Sequence, residues 1–217
     1  IERLFAGQQN WEIYDRQRFR FRADYVHPFS SSTKLEAGYQ LRMNRDVKWS
    51  DVFWYETPQD YTPSEASDFY TDSDFSSDMH SIYSTFSNSG EILGFQLGLR
   101  AEHVDRSIDF SGSDEVFGIN RWDFFPSAHF SFQLPADQQL TTSYTRRINR
   151  PRNHSLEPFT TYMDAYNVRV GNPGIDPEYV NSYEIGYQKQ VGRGFVSADL
   201  YHRHTTNKIE RLNSVFQ

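Results

Sequence analysis

The chain has 217 residues, a formal net charge of -7 and no cysteine. The absence of cysteine excludes disulfide bonds and thiolate–metal chemistry, and the negative charge argues against nucleic acid as a partner. No run of about 20 consecutive apolar residues is present, so the sequence excludes a transmembrane helix.

Eight segments alternate apolar and polar residues with a period of two, the pattern of a β-strand that has two different faces. The predicted apolar face comprises Phe19, Phe21, Leu35, Tyr39, Leu41, Phe95, Leu97, Leu99, Phe130 and Phe132. The predicted polar face includes Arg20, Arg22, Gln40, Arg100 and Glu102. Full charges on one face and aliphatic or aromatic residues on the other are typical of a sheet between lipid and a water-filled lumen.

The connections between these segments alternate between short and long. The short links lie at residues 28–33, 87–90, 135–138 and 192–194, and the long ones at 44–76, 107–121 and 149–181. Outer-membrane barrels have the same asymmetry, with short periplasmic turns and long external loops. The sequence therefore predicts an all-β fold, an antiparallel up-and-down meander of about eight strands. Residues 1–217 would form part of a larger transmembrane β-barrel.

Bulk composition is polar, with 37% hydrophobic residues, yet 17% of the residues are aromatic. A barrel strand needs only about 9–11 residues with every second one apolar, so low hydropathy is compatible with a membrane wall. The aromatic content agrees with belts of Tyr, Phe and Trp at the bilayer interfaces. The alternative interpretation is a soluble, aromatic-rich, sugar-binding β-sandwich.

The first long loop combines aromatic and acidic residues, which suggests a ligand-contact surface. Its candidate contact residues are Trp49, Trp54, Tyr55 and Tyr61. An ordinary solvated surface loop explains the same composition equally well. The sequence does not separate the two interpretations.

A basic cluster lies near the start of the last long loop, with Arg146, Arg147 and Arg150 as candidate ligand contacts. These residues suit an anionic ligand group or the carboxylates of a segment held inside the barrel. The competing hypothesis is a set of simple rim ion pairs to Glu157, Asp164 or Glu178, which stabilise little where they are exposed.

Proline and glycine residues also predict the course of this loop. Pro151 removes a donor from the strand ladder, so strand pairing should stop just before it. The segments 172–174 and 176–178 read Asn-Pro-Gly and Asp-Pro-Glu, which are strong turn formers. We expect them to fold the loop back on itself before the next strand begins.

The segment 142–207 resembles the barrel of TonB-dependent receptors, specifically the Bacteroidota outer-membrane β-barrel group. The matching stretches are SYTRRINRP at 143–151, LEPF at 156–159, GNPGIDPE at 171–178, NSYEIGY at 181–187, LYHR at 200–203 and TNKI at 206–209. Upstream, LGLRAE at 97–102 and FPS at 125–127 are similar to the same group.

This resemblance implies a receptor that imports a scarce nutrient across the outer membrane. It also implies surrounding lipid and a TonB-type energising complex that acts through a plug domain. No counterpart of the plug or of the closing strand is seen, so we expect an internal portion of the barrel whose first and last strands do not pair with each other. A small outer-membrane barrel that acts as an adhesin or structural protein is the main alternative.

Enzymatic function is not expected, because no Gly-x-Ser-x-Gly elbow and no phosphate-binding loop occur. His202 and His204 share one face of a strand by their spacing, but the sequence supplies no third ligand for a metal. We therefore predict no catalytic residues, no metal site and no cofactor.

Overall fold

The structure is a computed structural model that describes residues 7–55, 71–110, 116–163 and 167–214. The strands of its main sheet are β1 (Gly7–Pro28), β2 (Thr33–Tyr55), β3 (Thr71–Ser89), β4 (Leu93–Phe110), β5 (Phe117–Leu134), β6 (Gln138–Asn149), β9 (Glu178–Val191) and β10 (Gly194–Thr206). Two short strands, β7 (Thr161–Tyr162) and β8 (Val168–Arg169), pair in the last long loop, and a 3₁₀ turn spans Asn153–Ser155. Within the described ranges, no helix is long and apolar enough to cross a membrane.

The eight strands of the main sheet, called the wall below, pair in antiparallel fashion in the order β1-β2-β3-β4-β5-β6-β9-β10. This order confirms the predicted up-and-down meander of eight strands. β1 and β10 occupy the two edges, and the described residues of these strands are not paired with each other. The prediction of an open sheet is therefore confirmed.

The strands are longer than the sequence pattern predicted. The predicted loop 44–76 is wrong over most of its length, because β2 continues to Tyr55 and β3 already begins at Thr71. The predicted loop 107–121 shrinks in the same way, since β4 ends at Phe110 and β5 begins at Phe117. β1 likewise begins at Gly7, well before the alternating segment that contains Phe19 and Phe21.

The physical reason for these long strands is backbone pairing beyond the lipid. β1 and β2 stay in register from Gly7↔Tyr55 to Pro28↔Lys34, so their backbone groups are satisfied by each other. Outside the membrane neither face needs to be apolar, so the alternation that marks a strand in sequence is lost there while the ladder continues.

The outer face of the wall carries the predicted apolar residues. Phe19, Phe21, Leu97 and Leu99 are exposed. Leu35, Tyr39, Leu41, Phe95, Phe130 and Phe132 are half-buried. Neighbours on the same face account for this partial cover, as in the contact between the Phe21 and Tyr39 rings, whose centroids lie 6.3 Å apart. In the part of the chain described here no second sheet packs on this face, which contradicts the sandwich alternative.

The inner face carries polar and charged residues in rows that cross the strands. One such row runs through Arg22, Gln40, Ser81, Glu102 and Asp123, which are successive partners from β1 to β5. Gln40, Ser81, Glu102 and Asp123 are buried, whereas Arg20 and Arg22 on the edge strand β1 are exposed. Arg100 joins the row by donating to Ser81 Oγ at 2.9 Å and to Gln40 Oε1 at 3.3 Å.

A charge placed on the outer face should destabilise the wall in its membrane. We expect Leu97→Arg to cost about 2–4 kcal/mol of folding free energy, because the guanidinium would enter hydrocarbon. Urea titration of the full-length protein in lipid vesicles, read by heat-modifiable gel migration, measures this. The matched control is Gln96→Arg, whose side chain lies on the inner face. Equal loss of stability in both variants would contradict the assignment of the two faces.

Candidate functional site

After β6 ends at Asn149, the chain folds back over the inner face at the end of the wall that carries the long loops. We call residues 150–163 and 167–177 the folded loop. Leu156 of this loop is fully buried and forms an apolar core with Ile108 and Phe110 of β4. Phe75, Phe117, Phe159 and Ile175 pack around that core. Burial of these side chains holds the loop inside the lumen rather than above it.

Backbone hydrogen bonds give the folded loop its own internal structure. The Gly171 amide donates to the Glu157 carbonyl at 2.6 Å, and the Asn172 amide donates to the Ser155 carbonyl at 2.8 Å. The Gly174 amide donates to Asn172 Oδ1 at 2.9 Å, which closes the Asn-Pro-Gly turn. The predicted return of the loop is thus confirmed, and so is the end of strand pairing before Pro151.

Two buried carboxylates, Glu102 and Asp123, form the centre of an ion network beneath this loop. Arg150 Nη2 donates to Glu102 Oε2 at 2.7 Å and to Asp123 Oδ2 at 3.3 Å. Arg100 Nε donates to Glu102 Oε1 at 2.6 Å. Arg121 Nε lies 3.4 Å from Asp123 Oδ2. Because both acids are buried and paired with arginine, they fasten the loop to the wall.

Tyr179 connects β9 to the same network. Its hydroxyl donates to Asp123 and accepts from Arg121 Nη2 at 3.0 Å. The Arg146 guanidinium lies over the Tyr179 ring, 4.7 Å from the centroid. Tyr179 therefore links the carboxylate network to a cation–π contact.

The three arginines of the predicted basic cluster lie in different environments. Arg146 is half-buried on Tyr179, Arg150 is bound by Glu102 and Asp123, and Arg147 is exposed. For Arg150, the hypothesis of simple rim pairs to Glu157, Asp164 or Glu178 is wrong. The reason is long-range pairing: the partners lie on β4 and β5, 48 and 27 residues away.

Of the predicted aromatic contacts, Trp49 is the one whose side chain the structure describes. Trp49 alternates with the buried residues Lys48 and Ser50 and therefore lies on the outer face. Trp54 and Tyr55 belong to the end of β2, but their side chains lie outside the described part of the chain, as does the whole of Tyr61.

A cavity of about 370 Å³ lies between the folded loop and the inner face of β1 to β4. Its polar lining includes Glu12, Arg16, Lys48, His154, Glu157 and Arg169. Buried Lys48 lies between two acids, with its Nζ 3.3 Å from Glu12 Oε1 and 3.6 Å from Glu157 Oε2. Among these residues the sequence predicts ion pairing only for Glu157, because the contacts of the cavity join three separate segments.

The electrostatics of the cavity follow from burial and from these charges. Burial works to raise the pKa of Glu12, but the hydrogen bond from Tyr14 and the charge of Lys48 outweigh it and lower that pKa. Burial and the hydrogen bond to Glu12 raise the pKa of Tyr14 to about 12. Burial and the charge of Arg169 lower the pKa of His154. At neutral pH Glu12 is therefore ionised and His154 is neutral.

The histidines that were considered as metal ligands lie elsewhere. His202 and His204 are exposed on β10, and His202 stacks on Tyr183 of β9 with ring centroids 6.2 Å apart. In the described residues no group of three His, Cys, Asp or Glu side chains is arranged to hold a metal ion.

Gly171 is required for the close return of the folded loop. A Cβ at this position would lie 2.7 Å from the backbone carbonyl oxygens of Ser155 and Glu157. We therefore expect Gly171→Ala to push the two loop segments apart and to increase protease cleavage within residues 150–177 several-fold. Gly194→Ala is the control, because a Cβ there would meet its nearest atom at 3.8 Å. An unchanged cleavage rate for Gly171→Ala would contradict this packing.

Three comparisons place this fold among known proteins. A profile of the outer membrane protein beta-barrel family matches residues 5–216. A search of curated proteins found no matching sequence. Solved structures with a similar fold include the ferric citrate transporter FecA in its unliganded form, with a TM-score of 0.63 and 12% identity over 95% of this chain and 30% of that chain.

Two further solved structures agree with this fold. The alcaligin outer membrane receptor FauA from Bordetella pertussis has a TM-score of 0.53 and 16% identity over 91% of this chain and 30% of that chain. The ferric yersiniabactin uptake receptor FyuA from Yersinia pestis has a TM-score of 0.56 and 12% identity over 91% of this chain and 29% of that chain. The chain thus spans less than a third of the length of each of these proteins.

The resemblance noted in the sequence and the observed architecture agree with these matches. The chain forms an antiparallel meander that has an apolar outer face, a charged inner face and long external strands. The family profile covers nearly all of the chain. The chain belongs to the outer membrane protein beta-barrel family and lies in the outer membrane.

Proposed function

We propose that this chain forms part of the wall of a TonB-dependent receptor that imports a scarce nutrient through a wide β-barrel. The observation that carries the proposal is the open wall with charged rows on its inner face. An eight-stranded barrel has an interior only wide enough for side chains to fill. Here the inner face instead supports a folded loop and a cavity of about 370 Å³. Such contents suit a barrel completed by further strands at β1 and β10.

The similar structures support a role in uptake. They are a ferric citrate transporter, an alcaligin receptor and a ferric yersiniabactin uptake receptor. We propose an uptake role of the same general kind for this chain and leave the nutrient open. Its partners would be the surrounding lipid and a TonB-type energising complex that acts through a plug domain.

The proposed role is transport rather than catalysis. Glu102 and Asp123, the buried acids of the inner face, are bound by arginine and tyrosine side chains, which suits a structural role. The ligand-contact residues stay predictions in this function, namely Trp49, Trp54, Tyr55, Tyr61, Arg146, Arg147 and Arg150.

Uptake by cells that express the full-length protein tests the proposal. Cells that carry the gene are compared with deletion cells for growth on limiting single nutrients, with and without a functional TonB-type complex. We expect one nutrient whose uptake requires both the receptor and the energising complex. A protonophore should abolish that uptake, because import depends on the energised inner membrane.

Uptake that persists without the energising complex would contradict the proposal. Loss of cell adhesion in the deletion strain, with no change in uptake of any nutrient, would instead support the small-barrel adhesin.

A further inference from the structure

The acids in the cavity between the folded loop and β1 to β4 differ in how much hydrogen-bonding capacity they have left. Asp46 accepts from Arg18 Nη2 at 3.1 Å and from Asn153 Nδ2 at 3.3 Å. Glu12 accepts from the Tyr14 hydroxyl at 2.8 Å and lies 3.3 Å from Lys48 Nζ. The chain itself therefore occupies both of these carboxylates.

Glu157 is the exception among these acids. It is 6% exposed and lines the cavity. Among the described residues its Oε2 has no hydrogen-bond partner, because Lys48 Nζ lies 3.6 Å away, within ion-pair distance but too far for a hydrogen bond. A buried carboxylate with an oxygen that lacks a donor is costly, so the Glu157 carboxylate is suited to a donor supplied by a ligand.

Two arginines of the cavity, Arg16 and Arg169, can bind an anionic group. Arg16 of β1 lies over the Tyr14 ring, with its guanidinium carbon 4.4 Å from the centroid. Arg169 of β8 is half-buried in the folded loop. Neither arginine has a carboxylate within ion-pair distance among the described residues. Two guanidinium groups are therefore free to bind an anionic group, for which their planar fork is well suited.

Part of the lining is apolar. Phe75, Ile108, Phe110 and Met163 line the same cavity. A volume of about 370 Å³ lies at the small end of ligand pockets, which run from about 300 to 1,000 Å³. The cavity therefore offers an anion site, one carboxylate acceptor and an apolar surface within a small space.

We propose that this cavity binds a zwitterionic ligand, an amino acid or a short peptide with an apolar side chain. The ligand carboxylate binds Arg16 and Arg169, its ammonium group donates to the Glu157 carboxylate, and its side chain packs on Phe75 and Phe110. This inference rests on the proposed uptake function and names the class of its substrate.

Binding to the full-length protein in detergent tests this inference without the energising complex. The probe is the dipeptide alanyl-phenylalanine, with its N-acetylated and its C-amidated forms as matched ligands, measured by isothermal titration calorimetry. We expect each blocked form to bind about tenfold more weakly, since each loses one ionic hydrogen bond to the protein.

Protein variants assign each contact. Arg169→Gln should weaken the free dipeptide about tenfold but leave the amidated form unchanged. Glu157→Gln should weaken the free dipeptide and leave the acetylated form unchanged. Arg193→Gln, in the exposed turn between β9 and β10, is the control and should bind as the unmodified protein does. Heat-modifiable gel migration verifies that every variant is folded.

Equal affinity for all three dipeptides, or no binding of any of them, would overturn the zwitterion assignment. Energised uptake of a different nutrient would then leave the proposed function intact. Conversely, dipeptide binding with the expected variant pattern but no energised uptake would support this site and contradict the proposed function.

Discussion

Replacing Asp123 by alanine should cost the folded wall about 3–5 kcal/mol, the loss expected when one member of a buried ion network is removed. Asp123 is buried and receives Arg150, Arg121 and the Tyr179 hydroxyl. Without it, Arg121 and Tyr179 lose their buried carboxylate and Arg150 retains only Glu102. Strands β5 and β9 and the folded loop would all lose a common contact.

Urea unfolding of the full-length protein in vesicles measures this effect, with protease cleavage inside residues 150–177 as a local readout. The matched control is Asp176→Ala. Asp176 also lies near Arg121, at 3.5 Å, but its side chain is 70% exposed. Exposed pairs contribute about 0–1 kcal/mol, so the control should differ little from the unmodified protein. Similar losses for the two variants would mean that the buried network does not stabilise the wall.

Truncation of Leu156 should release the folded loop. Leu156→Ala removes the fully buried side chain that packs on Ile108 and Phe110. Such a change costs about 2–5 kcal/mol, from lost burial together with the cavity that remains. Because Leu156 belongs to the loop, we expect the cost to appear mainly as loop opening, with the eight strands still paired.

Hydrogen exchange of the full-length protein distinguishes opening of the folded loop from unfolding of the eight strands. In Leu156→Ala, amide protection should fall at Gly171 and Asn172, whose amides donate within the loop, while β4 and β5 stay protected. Leu212→Ala is the control, since Leu212 is 91% exposed. If protection at Gly171 were unchanged, the apolar core would not be what holds the loop.

The membrane part of the fold could be predicted from sequence because lipid imposes a pattern. Phe95, Leu97 and Leu99 alternate with Gln96 and Arg100 only because one side of β4 meets hydrocarbon. The outer ends of β2 and β3 carry no such pattern. Trp49 and its partner Asp72 are in register through the backbone ladder, and their sequence resembles a loop.

The candidate site was less predictable because its contacts join distant segments. Arg150 was identified as part of a basic cluster, but its partners Glu102 and Asp123 follow from strand order and register rather than from local sequence. Likewise, Leu156 and Glu157 appear in the quoted LEPF stretch with nothing to show that both would be buried. Only the turn residues of this loop carried a local signal.

The short ladder between β5 and β6 has a mechanical consequence. These strands pair over eight residues, from Ser127↔Thr145 to Leu134↔Gln138, whereas β4 and β5 pair over sixteen and β6 and β9 over twelve. Pro126, which has no amide hydrogen, lies where this ladder stops. The main sheet therefore consists of two panels, one of β1 to β5 and one of β6, β9 and β10, joined by a narrow strip.

Beyond the end of the β5–β6 ladder, side-chain contacts connect the two panels. Arg150, just beyond β6, reaches Glu102 and Asp123 of the first panel, and Tyr179 of β9 reaches Asp123 as well. A force that parts the sheet sideways would meet the fewest backbone hydrogen bonds at this seam. It would have to separate these charges before the panels could move apart.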